Sequence, residues 1–246
     1  MLVGYGILAG ETVKVSSPGI VQISVFKEWD GNISGAVNTS TYLKSLGIPA
    51  VFHPVGYFLS ETREEVRRQN MDALLYLAKH STQPMIVHDE TTPWSTPLVG
   101  QYEEAYEEAL KKITEHCPVS IENASNTLDV TRFWHRFASS ITLDIGHVQA
   151  AGIDSETFVE ELDSDLCSKV EFIHVHRANG PHYNGVTDHW GLTPNCKELK
   201  ALRKFLKRNS NVKIILEIIN KDDVRESLAL IEDVVREVNY AVNTGN

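Results

Sequence analysis

Ala50-Val51-Phe52-His53, Met85-Ile86-Val87-His88, Val119-Ser120-Ile121-Glu122, Ile141-Thr142-Leu143-Asp144, Ile173-His174-Val175-His176 and Ile214-Ile215-Leu216-Glu217 are six short runs that each end on a side chain able to ligate a metal. Continuous apolar stretches bounded by polar breakers read as buried strands. One strand ending in His or Glu carries no information. Six in succession, spelling His-His-Glu-Asp-His-Glu, place a ligand at the same end of every strand. In a closed parallel barrel those ends converge on one point.

Two further runs, Leu2 to Leu8 and Ile20 to Phe26, bring the expected strands to eight. Amphipathic segments lie between the later strands: Glu61–His80, Gln101–His116, Thr127–Phe137, Ser155–Leu166, Asn195–Arg208 and Asp222–Val242, with a shorter one near Thr39–Leu46. Strands alternating with helices predict a parallel sheet, and eight of them in 246 residues predict a (β/α)8 TIM barrel in a single domain, residues 1–246. Ser60 or Glu61 is expected to open a helix, and Asn195 with Glu198 has the spacing of a capping box. Only Ala9–Gly19 joins the first two strands, which is short for a parallel crossover. Either the barrel lacks its first helix or the first strand turns back as a hairpin.

No stretch is long and apolar enough to span a bilayer, and the N-terminus has no basic leader-like region. Cys117, Cys167 and Cys196 are odd in number and scattered, which argues against a disulfide framework and a thiolate zinc site. The expected compartment is the cytoplasm. A net charge of −10 argues against duplex DNA as a partner, and the basic pairs Arg67-Arg68, Lys111-Lys112 and Lys207-Arg208 fall on expected outer helices.

Glu122, Asp144, His147, His176, Asp188, His189 and Glu217, with His53 and His88, form the candidate metal-ligand set. Their oxygen and nitrogen donors suit zinc, manganese or iron. His174 alternates with His176 on one strand, so both face the same way; His174 is read as a supporting or substrate contact. His80, His116, His135 and His182 are read as surface or loop residues, and Tyr57, Trp94, Tyr183 and Trp190 as substrate walls or loop anchors.

The motifs Ile121-Glu122-Asn123, Leu143-Asp144-Ile145-Gly146-His147, His174-Val175-His176, Asp188-His189 and Leu216-Glu217 resemble the xylose-isomerase-like TIM barrels. That superfamily includes sugar-phosphate isomerases and epimerases and the endonuclease IV type (AP endonuclease family 2). The single-metal branch implies one ion on Glu122, Asp144, His176 and Glu217. The nuclease-like branch, which Gln22–Phe26 and Trp29 also resemble, implies two or three ions. His53, His88 and Glu122 would hold the first, with Glu122 bridging to the second. His147, Asp188 and a nearby His would hold the third. The chain departs from the nuclease pattern in having Asp188 and His189 adjacent, where that pattern has Asp-x-His.

The resemblance implies a metal-dependent enzyme, with Glu122 and Glu217 placed to move a proton. The leading expectation is a multi-metal hydrolase of phosphodiester or glycosidic-type bonds in a small nucleotide-like or sugar-phosphate substrate. The resemblance extends to members acting in cobamide remodelling. The alternative is a single-metal sugar or sugar-phosphate isomerase or epimerase. Gly180–Gly185 is a natural place for a lid.

Overall fold

The computed structural model describes residues 1–13, 18–28, 31–124, 129–178 and 188–244. Trp29, the start of the Thr127 segment, and the Gly180–Gly185 loop with His182 and Tyr183 lie outside the described residues.

All eight expected strands form: β1 (Leu2–Leu8), β2 (Ile20–Phe26), β3 (Ala50–Val55), β4 (Met85–His88), β5 (Val119–Glu122), β6 (Ile141–Asp144), β7 (Val170–Val175) and β8 (Lys213–Leu216). They build one sheet in the order β3-β2-β1-β8-β7-β6-β5-β4, with every paired neighbour parallel. This is a (β/α)8 barrel closed except for one seam. β3 and β4 lie side by side there without a hydrogen-bonded ladder. β1 runs parallel to β2, so the hairpin alternative fails, and no helix occurs in the described part of their connection.

The helices are α1 (Ile33–Ser45), α2 (Glu64–His80), α3 (Gln101–Thr114), α4 (Val130–Phe137), α5 (Ile145–Ala150), α6 (Ser155–Glu161), α7 (Ser164–Lys169), α8 (Lys197–Arg208) and α9 (Val224–Thr244). The starts of α1, α5, α6 and α7 follow side-chain caps. Asn32 accepts from the Gly35 N–H and opens α1 well before the expected Thr39. The expected Ser155–Leu166 helix is two helices, because Leu162 is non-helical and Asp163 caps a new start at the Leu166 N–H. The predicted capping box at Asn195 is not formed. Asn195 has positive φ, Cys196 is the cap residue, and the Glu198 carboxylate instead accepts from the Ala178 N–H at 2.9 Å. Ser60 does not open α2, which begins at Glu64. The Leu59 and Ser60 N–H groups bind the Glu90 carboxylate at 2.6 and 2.9 Å, tying the loop after β3 to the loop after β4.

Alternation along the strands separates two cores. Outward residues such as Val21, Phe52, Val87, Ile121, Leu143 and Ile173 join the helices in one large cluster. Inward residues Ile20, Val51, Ile86, Phe172 and Ile215 form a separate apolar floor inside the barrel. Ser120 and Thr142 share a 2.7 Å hydrogen bond on the same inward face. One strand position further toward the C-terminal ends, the inward residues are polar.

Candidate metal centre

That polar layer is set by register. His88 pairs with Glu122, Ser24 with His53, and Asp144 with His174. A register shift near Ile141 and Thr142 fixes the last pairing, by setting Ile141 opposite Val170 but Thr142 opposite Phe172. Glu217 follows directly on β8, anchored by its N–H to Val175 O at 3.1 Å. The side-chain amide of Asn123 bridges to β6, donating to Asp144 O at 2.9 Å and accepting from Asp144 N at 2.7 Å. Asp144 in turn caps α5, accepting from the His147 N–H at 2.7 Å.

Three groups of donor atoms result, each within 4.8 Å internally: His53, His88 and Glu122; Glu122, Asp144, His174 and Glu217; and His147, His176 and His189. Glu122 belongs to two of them. Its Oε2 lies 3.1 Å from His53 Nε2 and 3.6 Å from His88 Nε2, while its Oε1 lies 2.9 Å from His174 Nδ1. His174 Nδ1 also faces Glu217 Oε2 at 3.5 Å and Asp144 Oδ2 at 3.8 Å. Asp188 sits beside the third group, its two oxygens 3.9 Å from His147 Nε2 and 4.0 Å from His189 Nε2.

Every residue of the candidate ligand set is therefore brought to this mouth, but His174 and His176 exchange the places expected of them. The register puts His174 level with Asp144, whereas His176 lies beyond the strand end, stacked on His189 at 4.0 Å between centroids. Gln22, unnamed as a site residue by the sequence, is fully buried here. Its amide N lies 2.5 Å from Glu217 Oε1 and 3.0 Å from His53 Nδ1. Its inward position on β2, level with Gly6 of β1, is the signal that could have found it. His80, His116 and His135 are exposed as expected. Among the expected aromatic walls, Trp94 is open to solvent and Tyr57 is buried.

The electrostatics are those of a charged cluster deprived of water. Burial pulls His53 down, but Glu122 and Glu217 outweigh it and raise its pKa to about 10. Burial opposes the charge on His147 too, and Asp144 and Glu122 lift it to about 9. Burial wins at His88, which falls to about 4. Burial also pushes Glu122 upward, yet His174 and His53 hold it well below the ordinary carboxylate range. Imidazolium protons thus supply the positive charge that balances the carboxylates.

The donor set fits divalent ions. Glu122 Oε2 and Asp144 Oδ2 are buried without a well-aligned hydrogen bond. Two such carboxylate oxygens in one cluster are costly unless something else satisfies them. Imidazole and carboxylate at strand ends are the donors that zinc, manganese and iron take.

Fold and site together define a (β/α)8 barrel with a buried imidazole–carboxylate cluster at the C-terminal ends of its strands. Neither a protein-family profile nor a curated protein sequence matches the chain. Among solved structures it is similar to a D-tagatose 3-epimerase-like protein (TM-score 0.72, 18% identity, covering 98% of this chain and 100% of that one). It is similar also to endonuclease IV from Thermus thermophilus (TM-score 0.68, 17% identity, 96% and 100%). A D-allulose 3-epimerase from Methylomonas sp. follows at TM-score 0.62 and 9% identity, over 99% and 96% of the two chains. At these identities the likeness is one of fold alone, and it agrees with the (β/α)8 barrel read from the strand-end motifs. Among the described residues no helix is long and apolar enough to cross a membrane.

Proposed function

We propose that the protein is a metal-dependent hydrolase that uses two or three divalent ions to cleave a phosphodiester or glycosidic-type bond in a small nucleotide-like or sugar-phosphate substrate. The observation that carries this reading is the sharing of Glu122. One carboxylate serves both the His53–His88 pair and the Asp144–His174–Glu217 group. A single-ion site has no use for His53 and His88. A bridged site does, because paired ions flank both the attacking and the leaving oxygen of a displacement.

Bound ions would supply Lewis-acid polarisation of the scissile group and a water acidic enough to attack near neutral pH. The chain supplies the rest. Glu122 and Glu217 are kept ionised by the imidazoles around them, so both present anionic oxygens toward the ions and the attacking water. Gln22 fixes Glu217 from behind at 2.5 Å. The apolar floor of Ile20, Val51, Ile86, Phe172 and Ile215 closes the barrel beneath the cluster, which keeps bulk water from reaching it from below. Arg67, Arg68 and Lys112 of α2 and α3 are spent on carboxylates, Arg67 and Lys112 both on Glu108 and Arg68 on Glu65, rather than arrayed for a phosphate backbone. That supports a small substrate over duplex DNA.

A sugar isomerase or epimerase is the second reading, and one observation favours it. Glu122, Asp144, His174 and Glu217 are already a complete four-donor set without His53 and His88. Metal analysis of the purified protein, followed by incubation with a phosphodiester panel and a ketose panel, separates the two. The hydrolase reading expects at least two ions per chain, one of them lost in His53→Ala, and cleavage of a phosphodiester. One ion per chain, unaffected by His53→Ala, with epimerisation of a ketose would overturn it.

A further inference from the structure

Main-chain partners sort the three clustered imidazoles of His147, His176 and His189. His147 Nδ1 lies 3.0 Å from Asn123 O, and His189 Nδ1 lies 3.1 Å from Glu217 O. A carbonyl can only accept, so Nδ1 carries a hydrogen in both rings and Nε2 is the nitrogen left for a metal once the ring is neutral. Both Nε2 atoms face Asp188. These two rings have the tautomer that a ligand needs.

His176 is wired the opposite way. Its Nδ1 accepts from the main-chain N–H of His189 at 2.9 Å. A main-chain N–H can only donate, so the Nδ1 lone pair is taken and the ring hydrogen sits on Nε2. Offering Nε2 to a metal would move that hydrogen to Nδ1 and set two donors against each other at 2.9 Å. Nε2 instead lies 3.1 Å from Asp144 Oδ1, the oxygen that also accepts from the His147 N–H at 2.7 Å. Asp144 Oδ2 is left buried without a hydrogen bond, facing His174 Nδ1 at 3.8 Å and His147 Nδ1 at 3.6 Å. The ring reaches this place because residue 146 is glycine. A Cβ there would stand 2.3 Å from His176 Cε1.

We propose that His176 is a positioning residue and not a metal ligand: held as the Nε2–H tautomer by the His189 main chain, it engages Asp144 Oδ1 and leaves Oδ2 to face the centre formed with Glu122, His174 and Glu217. The role rests on the metal-centre reading above; the tautomer does not.

Two measurements test it. Imidazole 15N NMR of the metal-free protein should show His176 protonated on Nε2 and bare on Nδ1, and loading with zinc should leave that pattern in place. Metal counting and cobalt(II) absorption should then separate the two histidines of β7. His176→Gln keeps an oxygen to accept from the His189 N–H and an amide to donate to Asp144, so it should retain the wild-type ion count and cobalt spectrum. His176→Leu should keep the count but bind its ions roughly 10- to 100-fold more weakly, as expected when a ligand loses its supporting partner. His174→Gln should lose one equivalent. Loss of an equivalent in a folded His176→Gln protein, or a His176 ring protonated on Nδ1, overturns the proposal. A wild-type protein that takes up no ion overturns the metal-centre reading and the role with it. The NMR then still decides the tautomer, so the two failures are told apart.

Discussion

His53 Nε2 and His88 Nε2 lie 2.8 Å apart, and the two rings meet across the β3–β4 seam, where the barrel has no ladder. Two imidazole nitrogens at that distance need a proton or a cation between them. The seam removes main-chain hydrogen bonds at the place where the His53–His88–Glu122 group assembles. A shared ion would join β3 to β4 where the sheet does not. His53→Ala and His88→Ala should each remove the same single ion, and the double variant should remove no more than either alone. Residues that act as one unit are not additive. Atomic emission on the three proteins checks this, and a double variant that loses two ions would place the histidines on different centres.

Glu122→Gln should do what no single histidine substitution does, and depopulate both groups that share the carboxylate. An amide cannot balance His53 and His174 together, whose Nε2 and Nδ1 lie 3.1 and 2.9 Å from its two oxygens. Calorimetric titration with zinc should show at least two fewer tight equivalents than wild type. Loss of only one would mean that the carboxylate is not shared.

The fold was legible in the sequence because six of the eight strands announce themselves twice, by apolar runs and by the ligand that closes each run. Alternation also put His174 and His176 correctly on one face. Their roles were not legible. They depend on which one stands level with Asp144, and the register shift near Ile141 and Thr142 decides that. A slip of one residue in strand pairing leaves no mark in composition or periodicity. The helix starts at Asn32 and Asp163 could have been read as caps, whereas the loss of the Asn195–Glu198 box could not. Glu198 is drawn away by the Ala178 N–H, a partner twenty positions upstream.

Gly146→Ala should destabilise the protein although alanine is the better helix former. In an ordinary helix interior the change gains about 1 kcal/mol. Here the added Cβ would lie 2.3 to 2.5 Å from ring atoms of His176, which is itself fully buried and stacked on His189. Overpacking of this kind costs about 1–3 kcal/mol, so the clash wins or at least cancels the gain. With roughly 2–4 °C per kcal/mol for a chain of this size, a net cost of up to about 2 kcal/mol should lower the melting temperature by up to about 8 °C. The cobalt spectrum should shift as Asp144 loses its partner. An unchanged spectrum with a raised melting temperature would show that the His176 ring moves aside freely.

Metal uptake should release protons and strengthen as pH rises. In the metal-free state His53 and His147 are raised to about 10 and about 9 by the carboxylates around them, against the opposing pull of burial. Their folded values exceed the ordinary 6.5. The stability they lend is therefore fully present below 6.5 and lost as pH rises through 9 and 10. His88 has the opposite sign. Burial lowers it to about 4, so the metal-free fold loses stability as pH drops from 6.5 toward 4. Ions must displace the protons on His53 and His174, and those protons become easier to remove as pH rises. An ion at 100 times its dissociation constant stabilises the native state by about 2.7 kcal/mol, or roughly 5–11 °C in melting temperature for a chain of this size. Stripping the metal with a chelator should accordingly lower the melting temperature little at pH 6 and most near pH 9. Equal losses at both values would mean that the histidines are not the groups the ion displaces protons from.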